Sequence, residues 1–205
     1  MKILCVGRNY AKHAREMGHA VPTEPIWFWK PESAVVADGE PVVIPAGIGT
    51  VHHEVELAVR IGKTARRIDA ASALRHLDAA TVAVDVTARD LQERAKKAGE
   101  PWALAKGFDT FCPLGAWGPV PGDLQAMQLR LRLDGIVKQH GTTGDMIWNV
   151  AQLVAAASQW TTLKPGDVML TGTPDGVGPI AAGQRMEAEA VGLATLRSPV
   201  VAANQ

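Results

Sequence analysis

The sequence predicts a β-rich α+β fold. Short apolar runs such as PVVIPAG, TVAVDVT and DVMLTGT have the length and the β-branched content of strands, and 13 prolines and 20 glycines separate them. Only three segments have helical character, and they do not alternate with the strands as a doubly wound sheet requires. Strands are therefore expected to form the body of the fold, with helices at its periphery.

The three helical segments differ in the signals that define them. Residues 69–80 are rich in Ala and Leu, which favour helix. Residues 87–101 begin with Thr87 as a candidate N-cap and end at Gly99 and Pro101. Residues 146–160 place their apolar side chains on one helical stripe. Each segment therefore predicts one amphipathic or surface helix.

The segment TVHHEVELAVRIG, residues 50–62, alternates apolar and polar residues with the period of a half-buried strand. Its valines and leucine share one face, whereas His52, Glu54 and Glu56 share the other. His53 points away from His52, so at most one of the two histidines can approach the carboxylates. The two glutamates are therefore expected side by side in front of a sheet, with the histidines in supporting or packing roles.

Composition excludes several classes of function. Lys plus Arg and Asp plus Glu both number 21, so the chain has no overall field to attract nucleic acid or an anionic membrane. Cys5 and Cys112 lie in apolar surroundings without the spacing of a zinc motif or a disulfide framework. With no apolar run of membrane-spanning length and no signal-peptide pattern, we expect one cytoplasmic domain over residues 1–205.

A third acid, Asp85, interrupts the apolar run of residues 82–86, where a buried strand would carry only apolar side chains. If it met Glu54 and Glu56, each pair would repel by about 4 kcal/mol at ~4 Å and an effective dielectric constant near 20. A divalent cation relieves this repulsion, and oxygen ligands favour Mg²⁺ or Mn²⁺ over Zn²⁺. The alternative is a solvated strand face with surface ion pairs, on which Asp85 caps the next helix.

Other charged residues also have two interpretations. His13 and Glu16 would be neighbours if their segment is a short helix, and could then form a general base with its orienting acid, or simply a surface pair. Lys30 and Lys106 each follow an apolar run and could reach solvent or supply a fixed positive charge in a pocket. The glycine-rich segment 170–180 fits no nucleotide-binding motif and could bind a carboxylate or be an ordinary turn.

Seven stretches together resemble a known family. In order from residue 5 to about 179 they are CVGRNYAKHAREMG, FWKPESA, VHHEVELAVRIGK, AVDVTARDLQ, KKAGEPWALAKGFDTFCPLG, GTTGDMIW and LKPGDVMLTGTPDGVGP. This ordered set resembles the fumarylacetoacetate hydrolase superfamily, and within it the small acylpyruvate hydrolase and oxaloacetate decarboxylase-like branch. The resemblance implies a mixed β-sheet roll with short peripheral helices, and a homodimer.

The resemblance also implies roles for individual residues. Glu54, Glu56 and Asp85 would bind Mg²⁺ or Mn²⁺, as the charge argument suggests. His13 and Glu16 would activate water, and Lys106 would stabilise an enolate. The residues that would place the substrate are Arg8, Lys30, Gln92, Gly172 and Thr173.

These assignments favour hydrolysis of a C–C bond in a 2,4-dioxo acid such as fumarylpyruvate, which releases pyruvate through a metal-stabilised enolate. The same enolate would form in oxaloacetate decarboxylation or in tautomerisation of a 2-oxo acid, so these activities are the alternatives. A binding module without catalytic activity, stabilised by a metal, is the alternative of another class.

Overall fold

The computed structural model describes residues 1–18 and 20–203. Within these residues, fifteen strands and five α-helices are formed. They are β1 Ile3–Gly7, α1 Ala11–Glu16, β2 Ile26–Lys30, β3 Val35–Val36, β4 Val42–Ile44, β5 Val51–His53, β6 Val55–Ile61, α2 Ala70–Ala73, β7 Leu77–Val84, β8 Thr87–Ala88, α3 Arg89–Ala98, α4 Ala103–Lys106, β9 Cys112–Pro113, β10 Gln128–Leu133, β11 Ile136–Thr142, α5 Val150–Trp160, β12 Val168–Leu170, β13 Gly178–Ile180, β14 Arg185–Ala190 and β15 Leu196–Ala202. The predicted β-rich α+β class is confirmed.

The strands form mixed, open sheets. One five-stranded sheet has the order β2-β1-β12-β6-β7, and another has the order β11-β10-β14-β15-β4. In the first sheet β1 pairs with β12 in parallel while the other pairs are antiparallel, and in the second sheet only β15 and β4 are parallel. A smaller sheet, β13-β5-β8, extends from the strand that precedes the glutamates.

The apolar core explains why the first sheet has apolar residues on both faces. Leu57 on β6 and Val82 on β7 belong to a buried cluster that includes Leu131 on β10 of the second sheet. On the opposite face, Ala58 and Ala83 pack in a second cluster that contains both cysteines. Because both faces are buried, β7 reads as a continuous apolar run instead of alternating.

Two of the three predicted helices are confirmed. Helix α5 begins with a capping box in which Asn149 accepts from the backbone of Gln152 and the Gln152 side chain accepts from the backbone of Asn149. Helix α3 ends at Gly99, which has the left-handed φ of 69° common after helices. None of the helices that the structure describes is long and apolar enough to cross a membrane.

The prediction of one helix over residues 69–80 was wrong in its second half. Asp69 caps a single helical turn, and a short 3₁₀ turn continues to His76. From Leu77 the chain is strand β7, because pairing along β6 and burial on both sides outweigh the helix propensity of its alanines. Thr87 is not the N-cap of α3 either, since that helix begins at Arg89 and Thr87 lies in β8.

Candidate active site

The three predicted metal ligands meet at one buried point. Glu54 links β5 to β6, Glu56 lies on β6, and Asp85 directly follows β7. One carboxylate oxygen from each lies within 4.8 Å of the others, and all three residues are buried. The backbone N–H of Asp85 donates to the carbonyl of Glu54 at 2.8 Å, which fixes the two strand ends against each other. The sheet pairing of β6 with β7 therefore creates the cluster.

Two cations lie directly against this cluster. Lys106 Nζ donates to Glu54 Oε2 at 2.9 Å, to Asp85 Oδ2 at 2.5 Å and to Thr87 Oγ1 at 2.6 Å. Arg89 pairs with the other oxygen of Glu54 through Nη2. Because these cations were not counted, the repulsion among the three carboxylates expected from the sequence was too large. Glu54 does pair with basic residues, as the alternative of a solvated strand face expected, but these ion pairs are buried.

Lys30 on β2 is a third cation beside the cluster. Its Nζ lies 2.8 Å from Asp85 Oδ1, but its N–H groups donate to the carbonyls of Val86, Lys106 and Phe111 at 3.0, 2.7 and 2.8 Å. An ammonium has three donors, so the contact with Asp85 is ionic and Oδ1 is left without a hydrogen bond. With its donors used and its side chain outside the cleft, Lys30 holds Asp85 in place instead of contacting a substrate, which corrects its predicted role.

The two glutamates have opposite electrostatic environments. Burial alone would raise the pKa of Glu54, but the Lys106 and Arg89 cations outweigh it and hold that pKa well below the usual range. Burial raises the pKa of Glu56 well above the usual range, and the charges of Asp85 and Glu54 raise it further. The cations thus favour the ionised form of Glu54, whereas burial and the two neighbouring acids favour the protonated form of Glu56 in the absence of a metal.

The cluster fits a hard divalent cation. Its donor set consists of carboxylate oxygens, the ligands that Mg²⁺ and Mn²⁺ prefer. Asp85 Oδ1 is buried without a hydrogen bond, and Glu56 lacks an ion pair among the described residues. A divalent ion would suit both groups, because it would supply the positive charge that Glu56 lacks and would bind an oxygen of Asp85 that has only its ionic contact with Lys30.

A cleft opens from the cluster to the surface. Among the predicted site residues it is lined by Arg8, His13, Glu54, Glu56, Asp85, Gln92, Lys106 and Thr173. Three predicted site residues lie outside its wall: Glu16, Lys30 and Gly172. The cleft also contains Arg89, which sequence reasoning did not assign.

The His13 and Glu16 pair forms at the rim of the cleft. His13 is buried on α1, and its Nδ1 lies 3.4 Å from Glu16 Oε2. Glu16 is itself held by the N–H of Gly176, which lies 3.0 and 3.1 Å from its two oxygens. With Nδ1 directed to Glu16, Nε2 is the ring nitrogen left for a substrate.

The loop after β12 supports the cluster from the other side. The N–H of Gly172 donates to Glu56 Oε2 at 2.6 Å, so it positions this predicted ligand and is not free for a substrate. Gly172 has a φ of +94°, and a Cβ there would lie 2.7 Å from the Cβ of Asn9. Asn9 is fully buried and donates to the carbonyls of Trp148 and Thr171.

The two histidines beside Glu54 diverge as predicted. His52 Nδ1 accepts a hydrogen bond from Arg89 Nε at 3.3 Å, while His53 Nδ1 faces Gln139 Oε1 at 2.9 Å on β11. Burial and the Arg89 cation lower the pKa of His52 to about 4, so it is a neutral acceptor. Both histidines orient neighbouring side chains, which agrees with supporting roles.

Arg89 is the principal functional residue that sequence reasoning missed. It is buried, and besides Glu54 and His52 it donates to Gln92 Oε1 at 2.5 Å. The signal was present in the segment DVTARD, where Arg89 begins a helix four residues after Asp85. The charge argument considered the acids alone and assigned no role to this basic residue.

Known proteins resemble this chain over most of its length. The sequence pattern described as fumarylacetoacetate (FAA) hydrolase C-terminal matches residues 2–201. An oxaloacetate tautomerase from Escherichia coli is 50% identical, with 90% of this chain and 86% of that protein aligned. A mitochondrial oxaloacetate decarboxylase from Dictyostelium discoideum is 45% identical over 95% of this chain and 90% of its own length. The crystal structure of fumarylpyruvate hydrolase from Pseudomonas aeruginosa in complex with Mn²⁺ and pyruvate superimposes with a TM-score of 0.95 at 38% identity, covering 99% of this chain and 90% of that one.

Proposed function

Because the chain belongs to the fumarylacetoacetate hydrolase family, we propose that it is a metal-dependent oxaloacetate tautomerase, which interconverts the enol and keto forms of this 2-oxo acid. The observation that carries the proposal is the buried cluster of three carboxylates at the base of a cleft with cationic walls. Sequence analysis ranked hydrolysis first, whereas the names of the most similar relatives favour the alternative, chemistry on oxaloacetate.

The charges of the site support a dianionic substrate. Glu54, Glu56 and Asp85 together match the positive charges of Lys30, Lys106 and Arg89 once all three acids are ionised. A bound divalent ion then adds two positive charges. Oxaloacetate carries two carboxylates, so its binding would offset the charge of the ion in a poorly solvated cleft.

The residues of the cleft have distinct roles in this proposal. Glu54, Glu56 and Asp85 would hold Mg²⁺ or Mn²⁺, which when bound polarises the 2-oxo group and stabilises negative charge on its oxygen. Arg89 and Gln92 would bind carboxylate oxygens of the substrate, and Arg8 and Thr173 would bind from the outer wall. Lys106 contributes mainly its charge, because its three donors are already used.

Tautomerisation also requires a proton carrier. The reaction removes the proton from the enol oxygen at C2 and adds one at C3. His13 lines the cleft and has Nε2 available, while Glu16 orients its ring. We therefore assign the transfer at C3 to His13.

A direct experiment compares the possible reactions. The protein loaded with Mg²⁺ or Mn²⁺ is mixed with freshly dissolved enol-oxaloacetate, and the loss of the enol absorbance is followed while pyruvate is measured by a coupled lactate dehydrogenase. The proposal predicts rapid enol loss without matching pyruvate formation. Pyruvate formed at the rate of enol loss would indicate decarboxylation, and no turnover of any 2-oxo acid would favour a binding module.

Hydrolysis of an acylpyruvate is the second candidate, and the His13–Glu16 pair favours it. A histidine held by a carboxylate is suited to deprotonate a water that attacks the 4-oxo carbon. Fumarylpyruvate, assayed with the same metal-loaded protein, tests this candidate. If fumarylpyruvate is turned over faster than enol-oxaloacetate, hydrolysis replaces tautomerisation as the assignment.

Three expectations about the whole protein remain proposals. They are a homodimer, a cytoplasmic location and a single catalytic domain over residues 1–205. Sedimentation velocity tests the first, subcellular fractionation the second and limited proteolysis with mass spectrometry the third.

A further inference from the structure

Gln139 is the one buried side chain of β11, a strand that otherwise faces solvent or is half-buried. Its amide makes four hydrogen bonds, two with His53 and Val55 on either side of Glu54 and two with Thr173 and Pro174 in the loop after β12. Oε1 lies 3.0 Å from the N–H of Val55 on β6 and 2.9 Å from His53 Nδ1. Nε2 lies 2.8 Å from Thr173 Oγ1 and 3.0 Å from the carbonyl of Pro174.

The orientation of this amide is fixed by backbone groups. The N–H of Val55 can only donate, so the amide oxygen must face it, and the carbonyl of Pro174 can only accept, so the amide nitrogen must face it. If the amide were flipped, its NH₂ group would face the N–H of Val55 and its oxygen would face the carbonyl of Pro174, and neither backbone group would have a hydrogen-bond partner. It follows that Nε2 donates to Thr173 Oγ1 and that the hydroxyl of Thr173 is an acceptor in this contact.

The hydroxyl hydrogen of Thr173 is therefore available to the cleft. In the described part of the chain this hydroxyl donates no hydrogen bond, and the side chain lines the cleft. Its neighbour Gly172 is bonded to Glu56, which places Thr173 at the end of the cleft that contains the carboxylates. The hydroxyl thus faces the position where the 2-oxo acid end of a substrate would bind.

We propose that Gln139 is a positioning residue that keeps the hydroxyl of Thr173 as a donor to the carboxylate of the 2-oxo acid. This inference rests on the proposed function. It assigns part of substrate recognition to a strand of the second sheet, outside the cleft.

Close backbone packing supports this role of β11. A Cβ at Gly141 would lie 2.5 Å from the Cβ of Pro174, and a Cβ at Gly176 would lie 2.6 Å from the carbonyl oxygen of Lys138. The loop after β12 therefore packs directly on β11 at two points on either side of Gln139. The position of Thr173 relative to Gln139 is fixed by the fold and not by side-chain contact alone.

The test is a double-mutant cycle with Gln139→Glu and Thr173→Val in the Mn²⁺-loaded protein. A carboxylate at position 139 can only accept, so it would turn the hydroxyl of Thr173 away from the substrate. Each single variant is expected to lose about 10- to 100-fold in kcat/KM for oxaloacetate, mainly through KM, as a lost hydrogen bond to a charged group predicts. Adding Gln139→Glu to Thr173→Val should then change kcat/KM by less than about threefold, because the donor is already gone.

Three further variants separate positioning from folding. Thr173→Ser keeps the hydroxyl and should restore most of the affinity. Gln125→Glu is the matched control, because the Gln125 amide also bridges a backbone carbonyl and a backbone N–H, those of Thr143 and Val150, but lies outside the cleft. It should lower Tm without changing KM. If the Gln139→Glu variant does not fold, Gln139→Met, which keeps the shape without a donor, replaces it in the cycle with a smaller expected loss of about threefold to tenfold.

Calorimetric binding of pyruvate to the same Mn²⁺-loaded variants gives a readout independent of turnover. Weaker pyruvate binding in each single variant, with no further weakening in the double variant, supports the inference even if oxaloacetate is not tautomerised. Independent, additive losses from the two substitutions, or unchanged pyruvate binding in Thr173→Val, would overturn it. Absence of oxaloacetate turnover in the native protein, by contrast, refutes only the proposed function.

Discussion

Replacement of Glu56 by Gln tests the electrostatic account of the site. Glu56 lies within 4.8 Å of two other acids, and its hydrogen-bond donor among the described residues is the N–H of Gly172. Its raised pKa means that the metal-free folded protein binds this proton more tightly than the unfolded chain does. Gln has nearly the same shape and is neutral at every pH, so Glu56→Gln should stabilise the metal-free protein at pH 7 while removing a predicted metal ligand.

The size of the effect follows from proton linkage. A folded pKa raised above the ordinary value of 4.5 gives stability that is fully present below that pH and is lost as the pH rises towards the folded pKa. The native protein therefore carries a protonation penalty that grows as the pH rises from 4.5 towards the folded pKa. Removing this penalty should raise the Tm of the metal-free variant at pH 7, by about 2–4 °C for each kcal/mol removed, and the gain should vanish near pH 4.5.

Metal titration should stabilise the native protein much more than the variant. At a Mn²⁺ concentration one hundred times its Kd, the native protein should gain about 2.7 kcal/mol of stability. A hundredfold weaker Kd in Glu56→Gln would leave a gain of only about 0.4 kcal/mol at the same concentration.

Differential scanning calorimetry at pH 4.5 and pH 7, with chelator or with Mn²⁺, measures both effects. Glu24→Gln, at an exposed position, is the matched control and should behave as the native protein. The reasoning is refuted if metal-free Glu56→Gln is less stable than the native protein at pH 7, or if it retains the full Mn²⁺-dependent rise in Tm.

Two other substitutions test the groups around the carboxylates. Arg89→Gln leaves Glu54 without its guanidinium partner, so it should cost about 3 kcal/mol of stability and weaken pyruvate binding. The control Arg60→Gln breaks an exposed ion pair with Asp78 and should cost less than about 1 kcal/mol in a urea titration. Equal costs for the two variants would contradict the argument that burial makes the Arg89–Glu54 pair important. Gly172→Ala should lower the free energy of unfolding by about 2 kcal/mol or more, because the alanine would have a φ of +94° and would also clash with Asn9. The control Gly166→Ala has a similar φ of +89° but lies in open space, so it should lose only about 1 kcal/mol from the strained backbone. If both glycine variants melt at the same temperature, the close approach to Asn9 is unimportant.

Local pattern was sufficient to predict the acidic cluster. Alternation placed Glu54 and Glu56 on one face of a strand, and an acid within a run of valines marked Asp85 as exceptional. These signals act over a few residues, and each depends on a side-chain period that the sequence displays directly. The three candidate metal ligands therefore follow from the sequence, and the structure brings them together.

The long-range contacts of the site could not be predicted in the same way. Lys30 reaches Asp85 from β2, at the far edge of the same sheet in strand order, and Gln139 reaches Thr173 from a different sheet. Both contacts depend on how distant segments pack, which no local pattern encodes. Strand β7 was misjudged for a related reason, since alanine favours helix locally but fits a sheet that is buried on both faces.

The arrangement of the site also indicates which part of it selects the reaction. Oxaloacetate and fumarylpyruvate share a carboxylate next to a 2-oxo group, and the buried acids with their three cations are suited to that shared end. The remainder of either substrate would extend towards the rim, where His13 and Glu16 lie on the short helix α1. Glu16 is partly exposed and accepts from the N–H of Gly176, which connects α1 to the loop after β12. In the proposed function, the choice between moving a proton and activating a water would therefore depend on α1, while the formation of an enolate would depend on the cluster.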